Sequence, residues 1–135
     1  MIGFTHRARA ICLTAALVLG GAGTALFTAA PAQADAATCN SDLTTASNDN
    51  SGAYYYDSLG EASTAAGWNT DTATALADAA VACLGQDLGV TTAIVDATSD
   101  TAEALTENVA GDIPAAEVDE ELTYDDIALA LSLVS

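Results

Sequence analysis

The fold class is decided by DTATALADAAVACL, residues 71–84. Alanine and leucine have high helix propensity, and Leu76, Ala80 and Cys83 fall on one face at helical spacing. Gly85 follows directly, at a position where glycine commonly ends a helix. The segment therefore predicts an amphipathic helix that carries a cysteine on its apolar face.

The beginning of this helix recurs twice further along the chain. The form D-x-A-x-A-L occurs at residues 71–76, 100–105 and 126–131. An aspartate near a helix start accepts hydrogen bonds from unpaired backbone N–H groups and offsets the positive end of the helix dipole. We therefore expect a helix to begin near each of the three aspartates. Chance recurrence in a chain rich in Ala and Asp is the alternative, but all three segments are helical on either interpretation.

The remaining segments complete the predicted fold. Residues 53–66 are typical of a further helix interrupted by Gly60, whereas residues 88–98 have both strand character and a helical apolar stripe. A last helix would place Tyr124, Ile127, Leu131 and Val134 on one seam. The predicted fold class is all-α, a small Ala-rich bundle of three to four short helices with one disulfide, with the N-terminal part of the mature chain poorly ordered.

Residues 1–34 have the pattern of a secretory signal peptide. Arg7 and Arg9 precede an apolar run over residues 10–30, and Pro-Ala-Gln-Ala at residues 31–34 is an A-x-A cleavage site. We expect cleavage after Ala34 and secretion of the rest. An uncleaved membrane anchor is the alternative, which the glycines within the run disfavour. The Ala-rich style of this segment suits a high-GC bacterium.

The composition of residues 35–135 excludes several functions. All 19 acidic residues lie there, whereas the two arginines and the only histidine lie in the signal. Nucleic-acid binding and binding to anionic membranes both need basic side chains, so neither is expected. Without His, Lys or Arg, the usual nucleophile–base sites cannot be built. We therefore expect no enzymatic activity, and no cofactor or metal is predicted.

The mature chain divides into two parts by composition. Ser, Thr, Asn and Asp dominate residues 35–52, which we expect to be a flexible N-terminal segment. Residues 53–135 are expected to form the small acidic helical domain. Leu, Val and Ile together number only 19 in residues 35–135, so the core is expected to be thin.

Two cysteines remain after cleavage, Cys39 and Cys83. In an exported chain such a pair is most simply one disulfide, although intermolecular pairing or free thiols are alternatives. Closing the loop between them would contribute about 4 kcal/mol by restricting the unfolded chain. The stability of a domain with a thin core would depend strongly on this bond.

The aromatic residues are the first candidate binding site. Tyr54, Tyr55, Tyr56 and Trp68 carry most of the large apolar area of the mature chain. Three consecutive tyrosines cannot all face inward from one helix, so at least one should be exposed and able to contact a partner or a sugar ring. The alternative is that these side chains simply fill a poor core.

An acidic segment is the second candidate site. It contains Glu117, Asp119, Glu120, Glu121, Asp125 and Asp126. The spacing does not match an EF-hand, so we expect a solvated acidic face that attracts a basic partner rather than a specific Ca²⁺ site.

Three functional hypotheses follow from the sequence. The leading one is a secreted, non-enzymatic binding protein that acts at the cell surface or in the medium, with a basic protein as its partner. The second is a structural or self-assembling protein of the cell envelope. The third and least favoured is a small exported enzyme that uses a pair of carboxylates. The target and the oligomeric state are left open.

Overall fold

The computed structural model describes residues 35–135, which form four α-helices. They are α1 (Ala36–Ser58), α2 (Ala62–Ala82), α3 (Leu88–Ala110) and α4 (Ile113–Leu133). Consecutive helices pack together and α1 also packs against α4, so the four helices close into a bundle. The predicted all-α bundle with one disulfide is confirmed. The predicted signal peptide, residues 1–34, lies outside the described residues.

The N-terminal segment differs from the sequence expectation. Residues 35–52 are expected to be flexible, but they form the N-cap and more than half of α1. The Asp35 side chain caps this helix by accepting a hydrogen bond from the Ala37 amide at 3.0 Å. The hydroxyl groups of Thr44 and Thr45 donate to main-chain carbonyls four residues earlier, so these polar side chains are satisfied within the helix.

A buried stripe with one common spacing runs along every helix. Its members are separated alternately by four and three residues, which keeps them on the side of the helix that faces the bundle axis. The members are Cys39, Leu43, Ala46, Asn50, Ala53 and Asp57 on α1; Ala65, Asn69, Thr72, Leu76, Ala79 and Cys83 along α2; Val90, Ile94, Ala97, Thr101, Ala104 and Asn108 on α3; and Ala116, Glu120, Thr123, Ile127 and Ala130 on α4. The stripe runs through residues 88–98 without interruption, which is why that ambiguous segment is helical.

The helices extend beyond the segments indicated by the capping signals. The aspartates of the repeated form, Asp71, Asp100 and Asp126, lie inside α2, α3 and α4 rather than at their N-caps. The expectation that helices begin there is wrong because each buried stripe continues upstream of its aspartate. The first three helices are each followed by a turn with a glycine of positive φ, which is 80° at Gly60, 89° at Gly85 and 79° at Gly111.

The bundle interior has an apolar half and a polar half. The apolar half surrounds the confirmed disulfide between Cys39 and Cys83, whose Cα atoms are 4.8 Å apart. Fully buried Leu43 and Leu76 pack beside it. In the other half, towards the turns at the ends of α1 and α3, the same stripes carry amide, carboxyl and hydroxyl groups.

Candidate functional site

Five buried polar side chains from all four helices meet inside the polar half of the bundle. They are Asn50 and Asp57 from α1, Asn69 from α2, Asn108 from α3 and Glu120 from α4. We refer to these five residues as the polar core. Each is almost fully buried, so their hydrogen bonds and charges have to be satisfied within the bundle.

Glu120 accepts hydrogen bonds from three helices. Its Oε1 atom accepts from Asn69 Nδ2 at 2.9 Å and from Asn108 Nδ2 at 3.3 Å. Asn108 Nδ2 also donates to Asp57 Oδ2 at 2.7 Å. The side chain of Asn50 donates to the main-chain carbonyl of Glu120 at 2.8 Å. These bonds link the four helices through one residue, Glu120, by its side chain and its main-chain carbonyl.

Acceptors outnumber donors in the polar core. Five side-chain oxygens are buried without a donor: Oδ1 of Asn50, Asp57, Asn69 and Asn108, and Oε2 of Glu120. Leaving a buried acceptor unpaired destabilises a fold by about 1–3 kcal/mol. Because every unpaired atom of the polar core is an oxygen, these atoms can accept hydrogen bonds or coordinate a cation.

The polar core also has uncompensated negative charge. The carboxyl groups of Asp57 and Glu120 are close enough to hydrogen bond with each other, which requires a proton on one of them. Burial raises the pKa of Glu120 to about 8; the hydrogen bond from Asn69 opposes this shift and the charge of Asp57 adds to it. Since residues 35–135 contain no Lys, Arg or His, neutralisation requires a proton or an external cation.

Two more carboxyl pairs connect α3 to α4. Burial raises the pKa of Asp100 to about 7, and the hydrogen bond and charge of Asp126 contribute in the same direction. Burial likewise raises the pKa of Glu107 to about 7, together with the charge of Asp119. The interface between α3 and α4 is therefore sensitive to protonation.

The acidic residues of α4 do not form a single solvated face. Asp119 and Glu120 are buried, Glu117 and Asp126 are half-buried, and only Glu121 and Asp125 of the six are exposed. The expected face is absent because the six residues surround the helix, and the stripe that faces the bundle includes Glu120.

The aromatic residues separate into two groups. Tyr56 stacks on Trp68 of α2 with ring centroids 6.2 Å apart, and Tyr55 contacts the edge of Tyr56. Tyr54 is 46% exposed and points instead towards α4, where Tyr124 is 51% exposed. The four predicted binding residues thus do not share one surface, and Tyr124 joins Tyr54 without having been predicted as a binding residue.

A groove between α1 and α4 lies over part of the polar core. It has a volume of about 240 Å³ and is lined by Asn50, Ser51, Tyr54, Glu120, Glu121 and Tyr124. Exposed Tyr54, Glu121 and Tyr124 form its mouth, and buried Asn50 and Glu120 form its floor. We call this the α1–α4 groove.

Comparison with protein-family models, with curated proteins and with solved structures finds no match for this chain. None of the four described helices combines the length and the apolar character that a membrane span requires. No group of three or more His, Cys, Asp or Glu residues within residues 35–135 is arranged to hold a metal ion.

Most of the polar core is absent from the residues that the sequence pattern predicted as binding sites. Of its five residues, only Glu120 was among the candidate site residues. The spacing by four and three could have found the others, because Asn50, Asp57, Asn69 and Asn108 continue stripes that are elsewhere made of Ala, Leu, Val and Cys. A polar residue at such a position is predicted to be buried.

Proposed function

We propose that the protein is exported and acts outside the cell by binding a basic partner protein, without catalysis, through the α1–α4 groove. The observation that carries the proposal is the lining of the groove. The lining combines two exposed tyrosines, Tyr54 and Tyr124, with exposed Glu121 and buried Glu120. Tyrosine faces and carboxylates both attract the cationic group of a Lys or Arg side chain.

Charge over the whole molecule supports the same partner class. Residues 35–135 carry 19 acidic side chains and no basic ones. A surface of one sign raises the association rate with an oppositely charged protein and disfavours partners of the same charge. The disulfide between Cys39 and Cys83 and the signal pattern in residues 1–34 support export to an oxidising compartment.

Calorimetry with a hexalysine peptide at physiological salt tests the groove. Replacing Tyr54 and Tyr124 together by Ala removes two cation–π contacts, which should weaken binding by about tenfold. Tyr55→Ala is the control, because Tyr55 is at least as exposed as the two groove tyrosines but does not line the groove. Equal affinity of both variants would contradict the proposal, since binding would then depend only on overall charge.

Self-assembly is a second candidate function. It is favoured by apolar side chains that the fold leaves in solvent: Leu88 and Val109 are each more than three-quarters exposed. Light scattering at neutral pH separates the two functions. A protein that remains monomeric at all salt concentrations would exclude assembly and leave binding as the function to test.

A further inference from the structure

The polar core has the composition of a cation site. Its unpaired atoms are five buried oxygens from two carboxyl and three amide groups. We propose that the polar core binds a hard divalent cation, best matched by Ca²⁺, which enters through the floor of the α1–α4 groove. This inference goes beyond partner binding, because it concerns the groove floor and the residues behind it rather than the tyrosines of the mouth.

Charge balance points to a divalent ion. Asp57 and Glu120 place two carboxyl groups next to each other inside the bundle. A buried carboxylate is strongly destabilising unless it is paired with a positive charge or protonated. No side chain of residues 35–135 carries a positive charge, so one bound divalent cation would neutralise both carboxylates at once.

The chemistry of the ligands selects among the divalent ions. Zn²⁺ and the later transition metals prefer imidazole and thiolate ligands, which the polar core lacks. Ca²⁺ takes six to eight oxygen ligands from carboxylates, amide carbonyls and water in irregular geometry. Mg²⁺ demands a near-octahedral arrangement and loses its waters reluctantly. Two carboxylates and three asparagine amides, completed by water, therefore suit Ca²⁺ best.

The α1–α4 groove borders two residues of the polar core. Asn50 is 98% buried, yet it lines the α1–α4 groove and its Oδ1 atom has no donor. Glu120 also lines the groove, and its Oε2 atom is unpaired. Both oxygens are shielded from solvent, so an ion in the groove reaches them only when side chains at its floor move. The groove volume of about 240 Å³ has room for the waters that the ion keeps.

The side-chain amides of the asparagines can interact with Glu120 in the absence of a cation and with a cation when one is bound. Without a cation, Asn69 and Asn108 direct their Nδ2 groups at Glu120 Oε1 and offset its negative charge. Rotation of each amide by half a turn about its last side-chain bond presents Oδ1 instead. Such a rotation needs no movement of the helices, because the two ends of the amide have nearly the same size.

The first experiment follows asparagine side chains by NMR while Ca²⁺ is added to the chelator-treated, disulfide-bonded protein. The Nδ2H₂ resonances of Asn50, Asn69 and Asn108 should shift together with a single dissociation constant. Asn40 and Asn48 are internal controls, since both are exposed on α1. Shifts of equal size at exposed and buried asparagines would overturn the site, because they would indicate diffuse binding to the acidic surface.

The second experiment compares buried and exposed carboxylates by calorimetry with Ca²⁺. Asp57→Asn and Glu120→Gln each remove one ligand charge, which should weaken binding by about tenfold or more. Asp78→Asn and Asp125→Asn remove the same charge from exposed positions that do not line the groove and should change the affinity by less than about twofold, because salt screens them. Equal losses in all four variants would overturn the proposal.

A shared proton is the competing occupant of the polar core. If acidification raises the melting temperature of the wild-type protein and Ca²⁺ does not, the proton alone neutralises the pair and the cation site is excluded. The NMR experiment remains decisive even if a buried variant fails to fold, because it uses the wild-type chain. The Tyr54 and Tyr124 double variant should retain its affinity for Ca²⁺, so failure of the cation site and failure of partner binding are distinguishable.

Discussion

Gly52 sets the distance between α1 and α2. A Cβ atom at this position would lie 2.6 Å from two ring atoms of Trp68, which is closer than van der Waals contact allows. The indole is therefore held against the bare backbone of α1, where Tyr56 stacks on it. Gly67 is also inside a helix, but a Cβ there would have no neighbour within 4 Å outside the adjacent residues and the backbone of its own helix.

These two glycines should respond in opposite directions to the same substitution. Gly52→Ala forces Trp68 or α2 to move and should lower the free energy of unfolding by about 1–3 kcal/mol. Gly67→Ala gains helix propensity without a clash and should raise it by up to about 1 kcal/mol. Urea unfolding followed by circular dichroism measures both free energies, and the emission of Trp68 should change more for Gly52→Ala than for Gly67→Ala. A Gly52→Ala protein as stable as the wild type would contradict the packing argument.

At the scale of elements, the sequence predicted the helical class but not the helix boundaries. Helix propensity and the apolar face of residues 71–84 were sufficient to identify α2. Residues 35–52 were wrongly predicted to be flexible, because a segment rich in Asn, Ser and Thr is typical of flexible chains. In the folded chain Asn50 is buried and donates a hydrogen bond to the main-chain carbonyl of Glu120 in α4, which lies 70 residues later in the sequence. The composition of a segment does not predict a contact with a residue so far away in the sequence.

The interface between α3 and α4 should be weakened by its own carboxyl groups when they ionise. The pKa values of Asp100 and Glu107 are each raised to about 7, first by burial and then by Asp126 and Asp119 respectively. The double variant Asp100→Asn with Glu107→Gln should thus be more stable than the wild type at pH 8, and the difference should shrink at pH 5. Thermal melts of both proteins at pH 8 and at pH 5 measure this difference in stability. The control is Asp78→Asn with Glu121→Gln, two exposed positions, which should give a smaller gain.

At the scale of the whole molecule, stability is divided unequally between the two halves of the bundle. Apolar side chains are buried around the disulfide, whereas the polar half buries amides and acids that contribute little hydrophobic stabilisation. The thin core expected from composition is thus concentrated at one end. The bond between Cys39 and Cys83 lies at that end and connects the start of α1 to the end of α2.

Loss of the disulfide should destabilise the whole bundle. Replacing Cys39 and Cys83 by Ser opens a loop with a sequence separation of 44 residues, which should lower the free energy of unfolding by about 4 kcal/mol. Urea unfolding of the oxidised wild type and of the double variant measures the difference. A loss below about 1 kcal/mol would mean that the apolar half alone holds α1 in place.

The charge of the whole molecule predicts how its stability depends on pH. The folded state raises the pKa of Asp100 and Glu107 to about 7 and that of Glu120 to about 8, mainly by burial. Groups with raised pKa bind protons more tightly in the folded chain, so their stabilising effect is complete below the ordinary carboxyl range and is lost as pH rises towards 8. In chelator-treated protein the melting temperature should therefore rise steadily as pH falls from 8 to 5.

Added salt at pH 8 should also raise the melting temperature, because it screens the repulsion among the 19 acidic residues. A melting temperature that falls on acidification over this range would contradict the buried carboxyl pairs, because it would require folded carboxyl groups that hold protons less tightly than the unfolded chain.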